Sequence, residues 1–192
     1  MQPQKNSAIY RSPIIVAVRD PKDLPRALEC PQPVLFLLTG DISNVVDLVR
    51  SAKENGKEVF VHFDLITGLG KDTHALDWLA RTAQPTGIIT TRSPLASHAR
   101  SLGLTTIQRT FLLDSQSLQI GVEQCRKVSP DFLEALPGIA PDGITMLAQQ
   151  VSCPVIAGGL IQTVEQVKAA LSAGAIAIST SAQSLWYQTQ WT

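Results

Sequence analysis

The sequence predicts a compact (β/α)8 barrel of the TIM type, one α/β domain with short loops. Three observations predict it. Short, nearly continuous β-branched apolar runs recur eight times along the 192 residues, as expected of parallel strands covered on both faces. Segments with the apolar period of a helix stand between them. From strand start to strand start the repeat averages about 23 residues, room for one strand, one helix and two short turns. An open doubly wound sheet is the alternative, but Arg19-Asp20-Pro21 occupies the first βα turn, where such a sheet would place G-x-G-x-x-G.

The elements follow in order. Residues 1–12 are polar and read as a flexible N-terminal tail, leaving 13–192 as the barrel domain. The eight strands fall at 14–18, 34–38, 58–63, 87–90, 105–109, 132–136, 154–157 and 175–179. Val45, Leu48, Val49 and Ala52 mark the helix after the second strand, and Leu118, Val122 and Cys125 the one after the fifth. Val164, Val167 and Leu171 mark the one after the seventh, where Thr163 and Gln166 have capping-box spacing. Gly56, Gly103 and Gly174 stand where a helix stops and a strand begins. Trp186 and Trp191 read as packing residues.

Composition narrows the function. Hydrophobic residues make up 44% and charged residues 17%, with sixteen basic against sixteen acidic side chains and no net charge. That excludes nucleic-acid binding through a strong overall positive field, though not through a local basic patch. Cys30, Cys125 and Cys153 are far apart, and with His62, His74 and His98 they form no zinc spacing. Buried free thiols, no metal and no cofactor are expected. No apolar run reaches the length of a membrane span, so a soluble, cytoplasmic protein is expected. None of the seven lysines lies in an expected strand, which disfavours Schiff-base chemistry.

Chemistry in a barrel gathers at the carboxyl ends of the strands. Read in order, those ends carry Arg19, Thr39 with Gly40, His62 with Asp64, Thr90 to Arg92, Gln108 with Arg109, Glu134, Gly158 with Gly159, and Ser179, Thr180 and Ser181. Such a polar ring suits a small polar ligand. The ends of strands seven and eight fall on the fold's usual phosphate site, where glycines admit an oxyanion to backbone N–H groups; alternatively they make only a turn and a helix cap. His62 and Asp64 either face the mouth or are satisfied structurally. Glu134 inside an apolar strand needs a partner, and Arg109 on the neighbouring strand is the candidate. Gly68 and Gly70 give the loop at 64–72 internal flexibility: either it moves over a bound ligand with Lys71 as a mobile cation, or it is merely a solvated loop.

The segments Phe36-Leu-Leu-Thr-Gly40, Val59-Phe-Val-His-Phe-Asp-Leu-Ile66, Thr106-Ile-Gln-Arg109, Phe111-Leu-Leu-Asp-Ser115, Leu136-Pro-Gly-Ile139, Ile156-Ala-Gly-Gly-Leu-Ile161 and Ala175-Ile-Ala-Ile-Ser-Thr-Ser181 carry a resemblance. In this order, over residues 12–186, the chain resembles the glycerol uptake operon antiterminator regulatory protein family. The resemblance implies a TIM-barrel sensor of glycerol 3-phosphate that acts on leader mRNA to prevent premature transcription termination of glycerol-utilisation genes. It implies no chemistry on the ligand. Gly158, Gly159, Ser179, Thr180 and Ser181 would hold the phosphate, and His62, Asp64 and Glu134 are candidates for the glycerol hydroxyls. Lys71, Arg92, Arg100 and Arg109 are the candidate RNA or anion contacts. Gln162 and the acidic segment Ala140-Pro-Asp-Gly143 depart from the basic residues relatives carry there. A homodimer is one way to assemble a basic surface. The alternative from another class is a small phospho-metabolite isomerase, epimerase or lyase, with His62, Asp64 and Glu134 as acid and base.

Overall fold

The structure is a computed structural model that describes residues 7–189. It is a closed barrel of eight parallel strands in sequential order, with β1 pairing both β2 and β8. The strands are β1 (Ile14–Val18), β2 (Val34–Leu37), β3 (Glu58–His62), β4 (Gly87–Thr90), β5 (Thr105–Phe111), β6 (Phe132–Leu136), β7 (Val155–Gly158) and β8 (Ala175–Thr180). The helices that follow them are α1 (Leu24–Glu29), α2 (Val45–Glu54), α3 (Thr73–Thr82), α4 (Ser93–Ser101), α5 (Ser115–Val128), α6 (Pro141–Ala148), α7 (Val164–Ser172) and α8 (Gln183–Trp186). The fold class and all eight strands match the sequence reading. The largest difference is β5, which runs two residues past Arg109 because its ladder with β6 continues to Phe111 and Leu136.

Local chemistry explains the boundaries. Thr163 and Gln166 form the expected reciprocal capping box on α7, and Asp114 with Ser117 forms another on α5. Gly56, Gly103 and Gly174 all have positive φ, the backbone that ends a helix without steric cost for glycine alone.

Alternation along the strands divides the core. Inward-facing Ile15, Ala17, Phe36, Phe60, Ile89, Ile107, Phe132, Ile156 and Ala177 fill the barrel, while the outward residues pack under the helices. Trp186 is buried among the latter, with its indole N–H on the Thr180 carbonyl at 2.9 Å; Trp191 lies outside the described residues. Cys30, Cys125 and Cys153 are free thiols. The Cys125 and Cys153 sulfurs lie 2.8 Å apart, and the hydrogen bond from Cys153 pulls the Cys125 thiol down to about 7.

The expected tail folds from Ser7 onward. Ala8–Tyr10 form one 3-10 turn, and Ala8 and Ile9 join the interior cluster. The Ser7 hydroxyl and the Ala8 amide donate to the carboxylate of Glu58, the first residue of β3, at 3.1 Å each. The turn therefore closes the amino-terminal end of the barrel, where the sequence reading left the chain loose. Residues 1–6 of that expectation lie outside the described residues. Because Ile9 is fully buried, Ile9→Ala is expected to lower unfolding free energy by about 2–5 kcal/mol in urea titration. A loss under about 0.5 kcal/mol, the size of a surface change, would mean the turn is not part of the core.

Candidate functional site

The inward register that builds the apolar core continues into a polar layer at the carboxyl end of the barrel. Two residues beyond Phe60, Ile107, Phe132, Ile156 and Ala177 stand His62, Arg109, Glu134, Gly158 and Ser179. Cross-strand pairing sets Arg109 opposite Glu134 and Gly158 opposite Ser179. Glu134 has no exposed surface. One of its oxygens accepts from Arg109 Nε at 2.7 Å, and the other accepts from the Ser179 hydroxyl at 2.6 Å. A side chain at Gly158 would fall against Ser179 Oγ and 2.7 Å from Glu134 Oε1, so glycine there lets the carboxylate and the hydroxyl meet.

Arg109 is 9% exposed and binds Glu134 through Nε. Its two terminal nitrogens make no hydrogen bond among the described residues. His62 is 3% exposed and its Nδ1 is buried without a partner. Burial first, and the Arg109 guanidinium second, push its pKa down to about 3. The ring is neutral at physiological pH.

The loops above this layer supply N–H groups. Among the described residues, the amides of Gly159, Leu160 and Ser181 donate to no protein acceptor. The start of α7, by contrast, is already satisfied: Gln166 Oε1 accepts from the amides of Gln162 and Thr163, and Thr163 Oγ1 from Gln166 N–H. The open donors are those of the turn itself.

The expected site residues divide. His62, Arg109, Glu134, Gly158 and Ser179 come together in one layer. Ser179 and Thr180 were expected to offer hydroxyls to a phosphate, but each hydroxyl has one proton, and these go to Glu134 and to the Ile161 carbonyl at 2.7 Å. Ser181 is exposed and keeps its hydroxyl. Glu134 is sealed beneath Arg109 and positions it rather than meeting a ligand hydroxyl. Asp64 accepts from the hydroxyls of Thr90 and Thr91 and from the Thr91 amide, all within 2.9 Å; it organises the β4–α4 loop.

The cations divide too. Lys71 is anchored, donating to the carbonyls of Phe63 and Ile66. Its loop is laced to the β2–α2 loop, with Thr67 N–H on the Gly40 carbonyl and Ile42 N–H on Thr67. These bonds hold Lys71 and its loop against their neighbours. Arg92 remains exposed at the mouth, 3.9 Å from Asp64. Arg100 lies in the last turn of α4, at the opposite end of the barrel, because each helix runs antiparallel to its strands. Arg109 is buried by its ion pair and offers no outer surface to RNA. Sequence reasoning anticipated backbone N–H groups at the glycine turn and at the end of β8; it missed Leu160, whose amide no side chain marks.

The His62 shift has a pH consequence. Its folded pKa lies below the ordinary 6.5, so the unfolded chain takes up the proton first. The stability it confers is whole above about pH 6.5 and is lost progressively as pH falls toward 3. In urea titrations below pH 6.5, the wild type is expected to lose up to about 1.4 kcal/mol per pH unit more than His62→Gln. Equal slopes would show that His62 is not held neutral.

The family profile described as glycerol-3-phosphate responsive antiterminator matches residues 14–186. An uncharacterised protein from Escherichia coli K12, YgcP, is 31% identical over 178 residues, 93% of either chain. A glycerol uptake operon antiterminator regulatory protein from Listeria monocytogenes is 38% identical with a TM-score of 0.90, covering 98% of this chain and 100% of its own. A related protein from Thermotoga maritima is 33% identical with a TM-score of 0.82, covering 92% and 99%. With its eight-stranded barrel, the polar layer beneath the mouth and a profile match over nearly its whole length, the chain belongs to the glycerol-3-phosphate responsive antiterminator family.

Proposed function

We propose that the protein is a regulator that binds glycerol 3-phosphate in the barrel mouth and, so loaded, engages leader mRNA to prevent premature transcription termination. One observation carries the ligand reading. The unpartnered amides of Gly159, Leu160 and Ser181 stand at the ends of β7 and β8, one carboxylate away from a buried guanidinium with donors to spare. Backbone donors held by a turn above a buried guanidinium are placed for an oxyanion without reorganising on binding. The phosphate takes the turn at Gly158 and Gly159 together with the segment from Ser179 to Ser181, the latter through the Ser181 hydroxyl and backbone. Arg109 supplies the charge. The neutral His62 ring is suited to a glycerol hydroxyl rather than to the anion.

Charge-assisted bonds at about 1.5–3 kcal/mol each make a micromolar site reachable with three or four of them. The enzyme reading is less well supported, since the Glu134 and Asp64 carboxylates are engaged in hydrogen bonds and burial makes the His62 ring a weak base. For RNA, Arg19, Lys22 and Arg92 are the exposed cations at the mouth, a modest set that a loaded conformation has to present favourably.

In a thermal-shift titration, glycerol 3-phosphate is expected to stabilise the protein by about 2.7 kcal/mol at a hundredfold excess over Kd. Inorganic phosphate at equal concentration should do far less, and glycerol nothing. Arg109→Lys keeps a charge for Glu134 but loses the planar fork, and is expected to weaken glycerol 3-phosphate at least tenfold. An unchanged response would place the phosphate elsewhere, and product detected by NMR would establish an enzyme. Leader-transcript affinity in the presence of ligand is expected to fall with salt, and Arg92→Ala to reduce that slope by about one. Salt-independent binding would contradict the phosphate-contact reading.

A further inference from the structure

The rim of the mouth is divided in chemistry. Over β1 to β4 it is charged, with Arg19, Lys22, Lys71 and Arg92 interspersed with five aspartates. Over β5 to β7, the loop segments 111–114, 136–143 and 159–163 contain no lysine or arginine, only Asp114 and Asp142 among charged residues. What stands there is apolar. Phe111, Leu113, Ile139, Leu160 and, on α6, Met146 are each 42–80% exposed.

These side chains belong to one surface. Leu112 N–H donates to the Leu136 carbonyl at 2.7 Å, and Gly138 N–H to the carbonyls of Gly158 and Gly159, so the three loops are stitched side by side. Leu113, the most exposed of the five, borders a cleft of about 320 Å3 between α5 and α6. Leu112, Leu118, Gly143 and Met146 line its apolar part, and four polar residues, Asp114 among them, line the rest. Leu160 has φ +64, a left-handed backbone that costs a non-glycine residue about 1–2 kcal/mol. Packing within the chain does not account for that cost, because the side chain it presents is two-thirds exposed.

The chemistry selects the occupant. An arc without cations and with two acids does not take a nucleic-acid backbone or an anionic lipid surface. At roughly 200 Å2 per large side chain, the five exposures amount to roughly 600 Å2, the upper end of what a monomer leaves bare. A stable dimer buries about 800 Å2 per partner, so this arc with its polar border is of the required size. A two-fold contact also needs one patch that is complementary to itself. Here a projecting leucine and a largely apolar recess lie next to each other on the same patch.

We propose that this arc is a self-association surface, on which Leu113 of each copy seats in the α5–α6 cleft of the other. The charged half of each rim, with Arg19 and Arg92, then stays uncovered. This goes beyond the ligand reading and does not depend on it.

Sedimentation velocity of the full chain without ligand, from about 1 to about 200 µM, tests the proposal. A reversible dimer with a micromolar Kd is expected. Leu113→Asp and Met146→Asp, both at exposed positions, are each expected to weaken it at least tenfold while leaving the thermal melt in place. Leu102→Asp, also exposed but at the amino-terminal end of the barrel, is expected to leave it unchanged. A monomer throughout that range, or a dimer that survives both arc variants, would overturn the proposal.

Discussion

A carboxylate with no access to water must be neutralised by its neighbours, and the structure turns on how Glu134 meets that demand. Leaving its charge unpaired would cost several kcal/mol. The ladder between β5 and β6 sets Arg109 directly opposite it, and β8 brings Ser179 to its second oxygen. Three strands are thereby fixed to one another at the layer where the apolar core ends. Gly158 is the complement of that arrangement, because any side chain there would stand where carboxylate and hydroxyl meet. The glycine pair in β7–α7 therefore has two separate uses. Gly158 makes room inward, and Gly159, with φ +78, turns the chain so that its own amide and the next are left without protein acceptors.

The polar layer and the loops above it are built on different principles, and this separates rigid from adjustable parts of the mouth. On the β2 to β4 side, hydroxyls, amides and a lysine are already committed, through Asp64 to Thr90 and Thr91, and through Lys71 to two carbonyls. That side is preorganised and, His62 apart, has little left to offer a ligand. On the β7 to β8 side, side-chain hydroxyls are spent internally while backbone N–H groups are not. An anion would thus find donors where the chain holds the fewest charged side chains, and Arg109 beneath them supplies the positive field.

Much of this was legible in the sequence. Eight apolar runs at a regular spacing specify a barrel because a parallel strand covered on both faces has to be apolar throughout, and Glu134 stood out because nothing else in its strand is charged. The pairing with Arg109 followed from the same reasoning. Less legible was anything decided by which single proton goes where. Ser179 and Thr180 look like free donors in a sequence, and only the geometry shows the Glu134 oxygen and the Ile161 carbonyl that accept from them. The N-terminal plug was missed because Ser7, Ala8 and Ile9 sit in a polar stretch, with no periodicity to reveal that Ala8 and Ile9 cap the barrel. Arg100 was misplaced for a topological reason: its distance along α4 carries it to the far end of the molecule.

The central claim is that the turn after β7 and the end of β8 grip the anion while Arg109, steadied by Glu134, provides its counter-charge. A crystal structure grown with glycerol 3-phosphate tests it most directly. The account requires phosphate oxygens within hydrogen-bond distance of the Gly159, Leu160 and Ser181 amides and of an Arg109 terminal nitrogen, with the Arg109–Glu134 bond intact. A phosphate bound at another part of the rim, or an Arg109 that abandons Glu134 to reach it, would contradict the account.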